Sequence, residues 1–117
     1  MLVGLTATEA LGLWQRVTLA QVRQDGPDLS LRQLAILLQV YLVAPPHTVR
    51  GLATTLDVTR PVISRALDTM SKMGLLERVR DTRDRRDIMV KRTVLGALYL
   101  EEMADLIRKE GRPPSEK

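Results

Sequence analysis

The sequence predicts a mainly α-helical fold that carries one small β-hairpin, and three observations support this. Ser or Thr stands just ahead of five runs with helical spacing, at Thr6, Ser30, Thr48, Thr59 and Thr93, where its side chain can satisfy a helix's first backbone donors. Two short runs rich in Val and Ile, LLERVR and DIMVKR, flank a loop of alternating Asp and Arg. Gly and Pro fall between these runs, as in DGPD at 25–28 and APPHT at 44–48, and mark turns.

Taken in order, Thr6 and Glu9 form a T-x-x-E capping box that starts a first helix at about Ala7 and carries it to Gln24. Leu11, Leu13, Trp14, Val17, Leu19, Ala20 and Val22 cover more than a narrow stripe of it, so packing on two surfaces is expected. Ser30 and Gln33 repeat the device before LRQLAILLQVYLV, whose apolar density predicts the central core helix, ending before Pro45.

Thr48 then caps a short helix, VRGLATTL, and DVT connects it tightly to another, RPVISRALDTMSKM, which together read as a helix-turn-helix. In the second of these, Ile63, Ala66, Leu67, Met70 and Met73 follow a core-facing stripe. Thr59 is the expected N-cap, Pro61 fits the first turn, and Gly74 suits a left-handed helix end. Arg60, Ser64, Arg65, Asp68, Thr69 and Lys72 are left for the polar face. A hairpin follows, and Thr93 caps a last helix, VLGALYLEEMADLIRK. Helix, helix, helix-turn-helix, hairpin and helix together make the winged-helix arrangement.

A single domain is expected over residues 1–117, with the N-terminal helix in 1–29, the helix-turn-helix and wing in 30–92, the C-terminal helix in 93–110 and a flexible tail in 111–117. No apolar run approaches the roughly 20 residues needed to span a bilayer. The first residues lack the basic and small-residue pattern of a secretory signal, so a cytoplasmic location is expected. The absence of cysteine excludes disulfides, thiolate metal sites and cysteine redox sensing. The one histidine, His47, is expected to be a solvated loop residue, and no metal or cofactor is anticipated. Trp14, Tyr41 and Tyr99 are the only aromatic side chains, which argues against a stacking platform for single strands.

Charge is localised. The stretch from Arg60 to Arg92 holds ten basic and five acidic residues, so its excess of five exceeds the net +4 of the whole chain. A surface for a polyanion would have this distribution.

The stretch from Thr48 to Gly96 resembles the DNA-binding core of MarR-type bacterial transcriptional regulators. The resemblance lies in the L-A-x-x-L helix, the T-x-P-x-x-S-R opening of the next helix, G-L-L-E-R entering the hairpin, D-x-R-D-R-R at its tip, and T-x-x-G opening the last helix. It implies a dimeric regulator of double-stranded DNA, expected to act as a repressor on a pseudo-palindromic site. Arg65 sits where a recognition helix can offer a bidentate pair to guanine. A salt bridge with Asp68 or Asp84 is the alternative. Ser64, Thr59 and Arg60 are weaker candidates that position the backbone, and Thr59 could serve only as a cap.

In the family it resembles, an arginine two positions after the wing aspartate enters the minor groove, a pattern matched by Asp84 and Arg86. Asp81 and Arg83 repeat it, and Arg83 and Arg85 would meet phosphates. The alternative is a charge-balanced loop that only aids solubility. Dimerisation is expected through Leu11, Trp14, Leu98, Leu100, Met103 and Ile107, with closure of one compact core as the competing reading. Regulators of this type usually continue into longer C-terminal helices, so the interface here is expected to be reduced or rearranged. A small-molecule effector in a crevice is also implied by the resemblance. Two other classes compete: a protein-interaction module using the basic face on an acidic partner, and, weakest, an enzyme, for which no acid-base pair, nucleophile or phosphate loop is found.

Overall fold

The computed structural model describes residues 4–84 and 87–111. The wing arginines Arg85 and Arg86, and the expected flexible tail beyond Gly111, lie outside the described residues. The elements are α1 (Ala7–Arg23), α2 (Leu31–Leu42), α3 (Val49–Leu56), α4 (Arg60–Lys72), β1 (Leu76–Arg80), β2 (Ile88–Arg92) and α5 (Val94–Glu110). This is the mainly helical fold with one hairpin that the capping and turn residues specify. Among the described residues no helix is long and apolar enough to cross a membrane.

Leu29–Leu100 forms one compact unit, and the segments on either side of it form another. In the flanking unit, Thr6 and Glu9 complete their capping box, the Glu9 carboxylate accepting the Thr6 N–H at 3.0 Å and the Thr6 hydroxyl accepting the Glu9 N–H at 3.1 Å. Arg16 on α1 joins the end of α5 by donating to the Glu110 carbonyl at 3.2 Å and pairing with its carboxylate at 3.6 Å. Only Val17 of α1 is buried, whereas Leu11, Trp14, Leu19 and Val22 are exposed.

The central unit is built around α2, whose Ile36, Leu37 and Val40 are fully excluded from solvent. They pack with Val49, Leu52 and Ala53 of α3, with Ile63, Ala66, Leu67 and Met70 of α4, and with Leu75, Leu76 and Val90 of the hairpin. Burying each large apolar side chain of this kind contributes roughly 1.5–3 kcal/mol. Ser30 caps α2 with Gln33 as foreseen, and Thr48 caps α3 by accepting the Gly51 N–H at 2.9 Å. Asp57 closes α3 in the left-handed region at φ 57°, and Gly74 follows α4 at φ 78°.

β1 and β2 pair antiparallel, with Leu76 opposite Arg92, Glu77 opposite Lys91 and Arg80 opposite Ile88. The loop between them is closed at its root, where Asp81 N–H donates to the Asp87 carbonyl at 3.0 Å. β2 is also fastened to the start of α3: Thr48 forms a bridge with Met89, and Val90 N–H donates to the His47 carbonyl at 2.8 Å.

His47 corrects the expectation of a solvated loop residue. It is buried, at 8% exposure, and its Nε2–H donates to the Val43 carbonyl at 2.9 Å. A carbonyl only accepts, so that nitrogen carries the proton. The sequence placed His47 after two prolines, where a loop was evident but its fold-back onto the end of α2 was not.

Candidate nucleic-acid interface

α4 presents two faces. Ile63, Ala66, Leu67 and Met70 point into the core, while Arg60, Arg65, Asp68, Thr69 and Lys72 are exposed and Ser64 is half-buried. Thr59 occupies the N-cap position in extended backbone geometry, but its side chain makes no capping hydrogen bond. Its hydroxyl is therefore not consumed by the helix start, and the first turn contains no acidic residue. Pro61 has no N–H, and Val62 and Ile63 donate theirs to the Thr59 carbonyl at 3.1 and 3.3 Å, so what this helix start offers an anion is chiefly its dipole.

Asp68, one of the two carboxylates considered as a partner for Arg65, pairs instead with Arg78 of β1 at 2.6 Å. Neither Arg60 nor Arg65 forms an ion pair among the described residues. Arg65 lines a shallow polar cleft of about 250 Å3 with Ser30, Arg32, Gln33 and Thr69, so α2 contributes a second cation, Arg32, beside α4. Arg32 has no motif around it that a sequence reading could use. A further polar cleft, about 600 Å3, runs between α3 and α4 and is bordered by Arg50, Thr54, Thr59 and Arg60.

In the wing loop, Arg83 is exposed and its backbone N–H donates to the Asp81 carboxylate at 2.9 Å, while the Asp84 carbonyl accepts the Asp87 N–H at 3.0 Å. Asp81 thus shapes the loop by accepting a backbone donor two residues on, a usual aspartate role in turns. Arg85 and Arg86 lie outside the described residues.

Not every basic residue of the 60–92 stretch is available to a partner. Arg92 donates through Nε to the Val40 carbonyl at 3.0 Å and through Nη2 to the Val43 carbonyl at 3.3 Å, with its guanidinium 5.8 Å from the Tyr41 ring centroid. It closes the C-terminus of α2, whose last carbonyls lack helical partners. Arg78 is held by Asp68, and Arg50, from α3, is held by Asp87 at 3.0 Å. Sequence reasoning missed the Arg50–Asp87 and Arg92 contacts because both partners are distant in the chain.

Of the candidates for dimerisation, Leu11, Trp14, Leu98 and Ile107 are exposed. Met103 is buried, and Leu100 packs against the core of the central unit. No group of three His, Cys, Asp or Glu side chains among the described residues is arranged to hold a metal ion.

Comparison with known proteins bears on this arrangement. The S. aureus MepR–DNA complex superposes with a TM-score of 0.69 at 21% identity, over 88% of this chain and 79% of that one. YusO from Bacillus subtilis gives 0.71 at 20% identity, covering 88% and 72%. A variant of E. coli MarR complexed with operator DNA gives 0.66 at 24% identity, and this chain covers 64% of its length. At these identities the likeness is one of fold, a winged helix-turn-helix. Among the curated proteins, none matches the sequence. The model of the MarR family matches residues 28–87, more than half of the chain and the segment that holds α2, the helix-turn-helix and the first strand and loop of the wing; the chain therefore belongs to the MarR family.

Proposed function

We propose that this protein is a cytoplasmic, dimeric transcriptional regulator that acts as one DNA-binding domain and represses from a pseudo-palindromic site. The observation that carries the reading is the outer face of α4: Asp68 is taken by Arg78, and among the described residues Arg60 and Arg65 form no ion pair, which leaves their charge for an external partner. α4 enters the major groove, where Arg65 reads a guanine edge and Thr59, Arg60 and Ser64 set the helix against the backbone. The wing lies on the adjacent minor groove, with Arg83 and Arg85 on phosphates and Arg86, aimed by Asp84, entering the groove. Two copies associate through residues of α1 and α5, namely Leu11, Trp14, Leu98, Leu100, Met103 and Ile107, of which Leu11, Trp14, Leu98 and Ile107 are exposed. That two of the fold's neighbours were solved with DNA supports the same reading. An apolar groove of about 500 Å3, walled by Val40, Pro46, His47 and Met89, supports the further proposal of a small-molecule effector.

The test is titration with duplex DNA at several salt concentrations. Phosphate contact gives a log-log decline in affinity whose slope is about −0.9 per neutralised phosphate. No binding at low salt overturns the reading and favours the basic face as a dock for an acidic protein.

A further inference from the structure

Arg50 and Asp87 are both charged residues with other things to do: one stands on the exposed face of the first helix of the helix-turn-helix, the other at the end of a loop already rich in charge. They nevertheless meet at 3.0 Å, with Asp87 the more enclosed, at 26% side-chain exposure against 56% for Arg50. Asp87 is also the residue that closes the wing loop, since its N–H donates to the Asp84 carbonyl and its carbonyl accepts the Asp81 N–H, both at 3.0 Å. One residue therefore holds the loop's root through its backbone and α3 through its side chain.

The neighbouring ties run the same way. Thr48 bridges Met89, and the His47 carbonyl accepts the Val90 N–H, so the start of α3 and the start of β2 are joined at three successive points. The backbone ties fix where β2 begins. The ion pair adds a side-chain tie between α3 and the root of the wing loop, beside the backbone bonds that close the loop at Asp81 and Asp84. An exposed ion pair contributes little to overall stability. Its effect is on direction, because a small rotation at the loop root is a large displacement at the tip.

We propose that the Arg50–Asp87 pair is a strut that sets the angle of the wing against the helix-turn-helix, and so sets how strongly the protein distinguishes a narrow, A·T-rich minor groove from a wide one. Both are positioning residues. The inference rests on the DNA-binding reading above and adds to it the element that tunes wing-dependent selectivity.

The experiment uses the full chain and duplexes selected by the wild type from a random pool. Each selected core is then placed between A·T or between G·C flanks, and affinity is compared for the wild type, Arg50→Gln, Asp87→Asn, the double variant, and the reversed pair Arg50→Asp with Asp87→Arg. Thermal unfolding of each variant confirms that it is folded. The expected result is a several-fold loss of flank preference in either single variant, with discrimination among core sequences retained. The double variant should lose no more than a single one, and the reversed pair should recover the preference. Additive losses, or an Arg50→Gln variant weakened equally on both flanks beside an unaffected Asp87→Asn, would make Arg50 a plain phosphate contact and overturn the strut while leaving DNA binding intact. A wild type that enriches no sequence overturns both.

Discussion

The Tyr41 hydroxyl and the backbone of Gly96 face each other with no room for a side chain between them: a Cβ on residue 96 would collide with that hydroxyl and with the Leu75 carbonyl. The hydroxyl is fixed there. It accepts the Thr93 N–H at 2.9 Å and donates to the Thr93 carbonyl at 2.8 Å, with the Leu75 carbonyl at 3.2 Å, while the Thr93 hydroxyl donates to the Gly74 carbonyl at 2.7 Å and accepts the Gly96 N–H at 3.0 Å. One tyrosine thus ties α2 to the end of α4, the entry to β1 and the start of α5.

Gly96→Ala should therefore destabilise the protein by about 1–3 kcal/mol through overpacking, despite the better helix propensity of alanine. Tyr41→Phe removes the acceptor of Thr93 N–H, at a cost of about 1–3 kcal/mol for the stranded donor. It also vacates part of the space that an alanine methyl needs. Combined, the two changes should cost less than their sum, as read by denaturant unfolding, and strictly additive costs would show that the hydroxyl does not limit residue 96.

Arg92 lies in the basic stretch that the charge distribution offers to a polyanion, yet its hydrogen bonds go to the Val40 and Val43 carbonyls. Arg92→Met should keep some of the stem's packing while losing about 1–3 kcal/mol of stability from unmet helix-end carbonyls. Its affinity for DNA at low salt and the slope of affinity against salt should match the wild type. A slope smaller by about one would place Arg92 on a phosphate instead.

These two residues show where sequence reasoning succeeds and where it stops. The capping boxes at Thr6 and Ser30, the stripe from Ile63 to Met70 and the left-handed Gly74 were legible because each depends on residues within a turn of one another. The same local logic gave the hairpin and its loop. What Arg92, Arg50 and His47 do depends on partners 37 to 52 residues away for the arginines, and on a fold-back of the chain for the histidine. Composition had counted Arg78 and Arg92 with the cations of a binding surface, whereas the fold gives them to Asp68 and to the end of α2. Thr59 stands where a cap belongs but makes no capping bond, a distinction of side-chain rotamer that no spacing rule contains.

Arg65 stands on the exposed face of α4 with no ion pair among the described residues. Arg65→Ala should weaken binding to the selected site by about 1–3 kcal/mol and relax preference at one base position. Competition binding with single-base variants of the site measures both. An equal loss on every duplex would assign Arg65 to a phosphate.

For the wing, the expectation concerns Arg86. Removing it as Arg86→Ala should cost affinity chiefly on duplexes with A·T-rich flanks, where the groove is narrow and its potential most negative. Arg83→Ala, by comparison, should weaken all duplexes alike and lower the salt slope by about one. Unchanged affinity of Arg86→Ala on A·T-rich flanks would remove the minor groove from the mechanism.

Glu9 gives the flanking unit a pH dependence of definite sign. The Thr6 backbone N–H, with the Thr6 hydroxyl adding to it, holds the Glu9 carboxyl below its usual range. A carboxylate with a depressed pKa in the folded state contributes stability that is present in full above its unfolded value, about 4.3, and is lost as pH falls through the folded one. The start of α1 should therefore weaken in acid, not in base. Other carboxylates also titrate there, so the measurement is a difference: thermal unfolding of the wild type and of Glu9→Gln from about pH 7 to pH 3. Glutamine can keep the reciprocal cap without a charge. The wild type should lose its advantage over the variant as the pH drops, and a constant gap across that range would show that the charge on Glu9 contributes nothing to the cap.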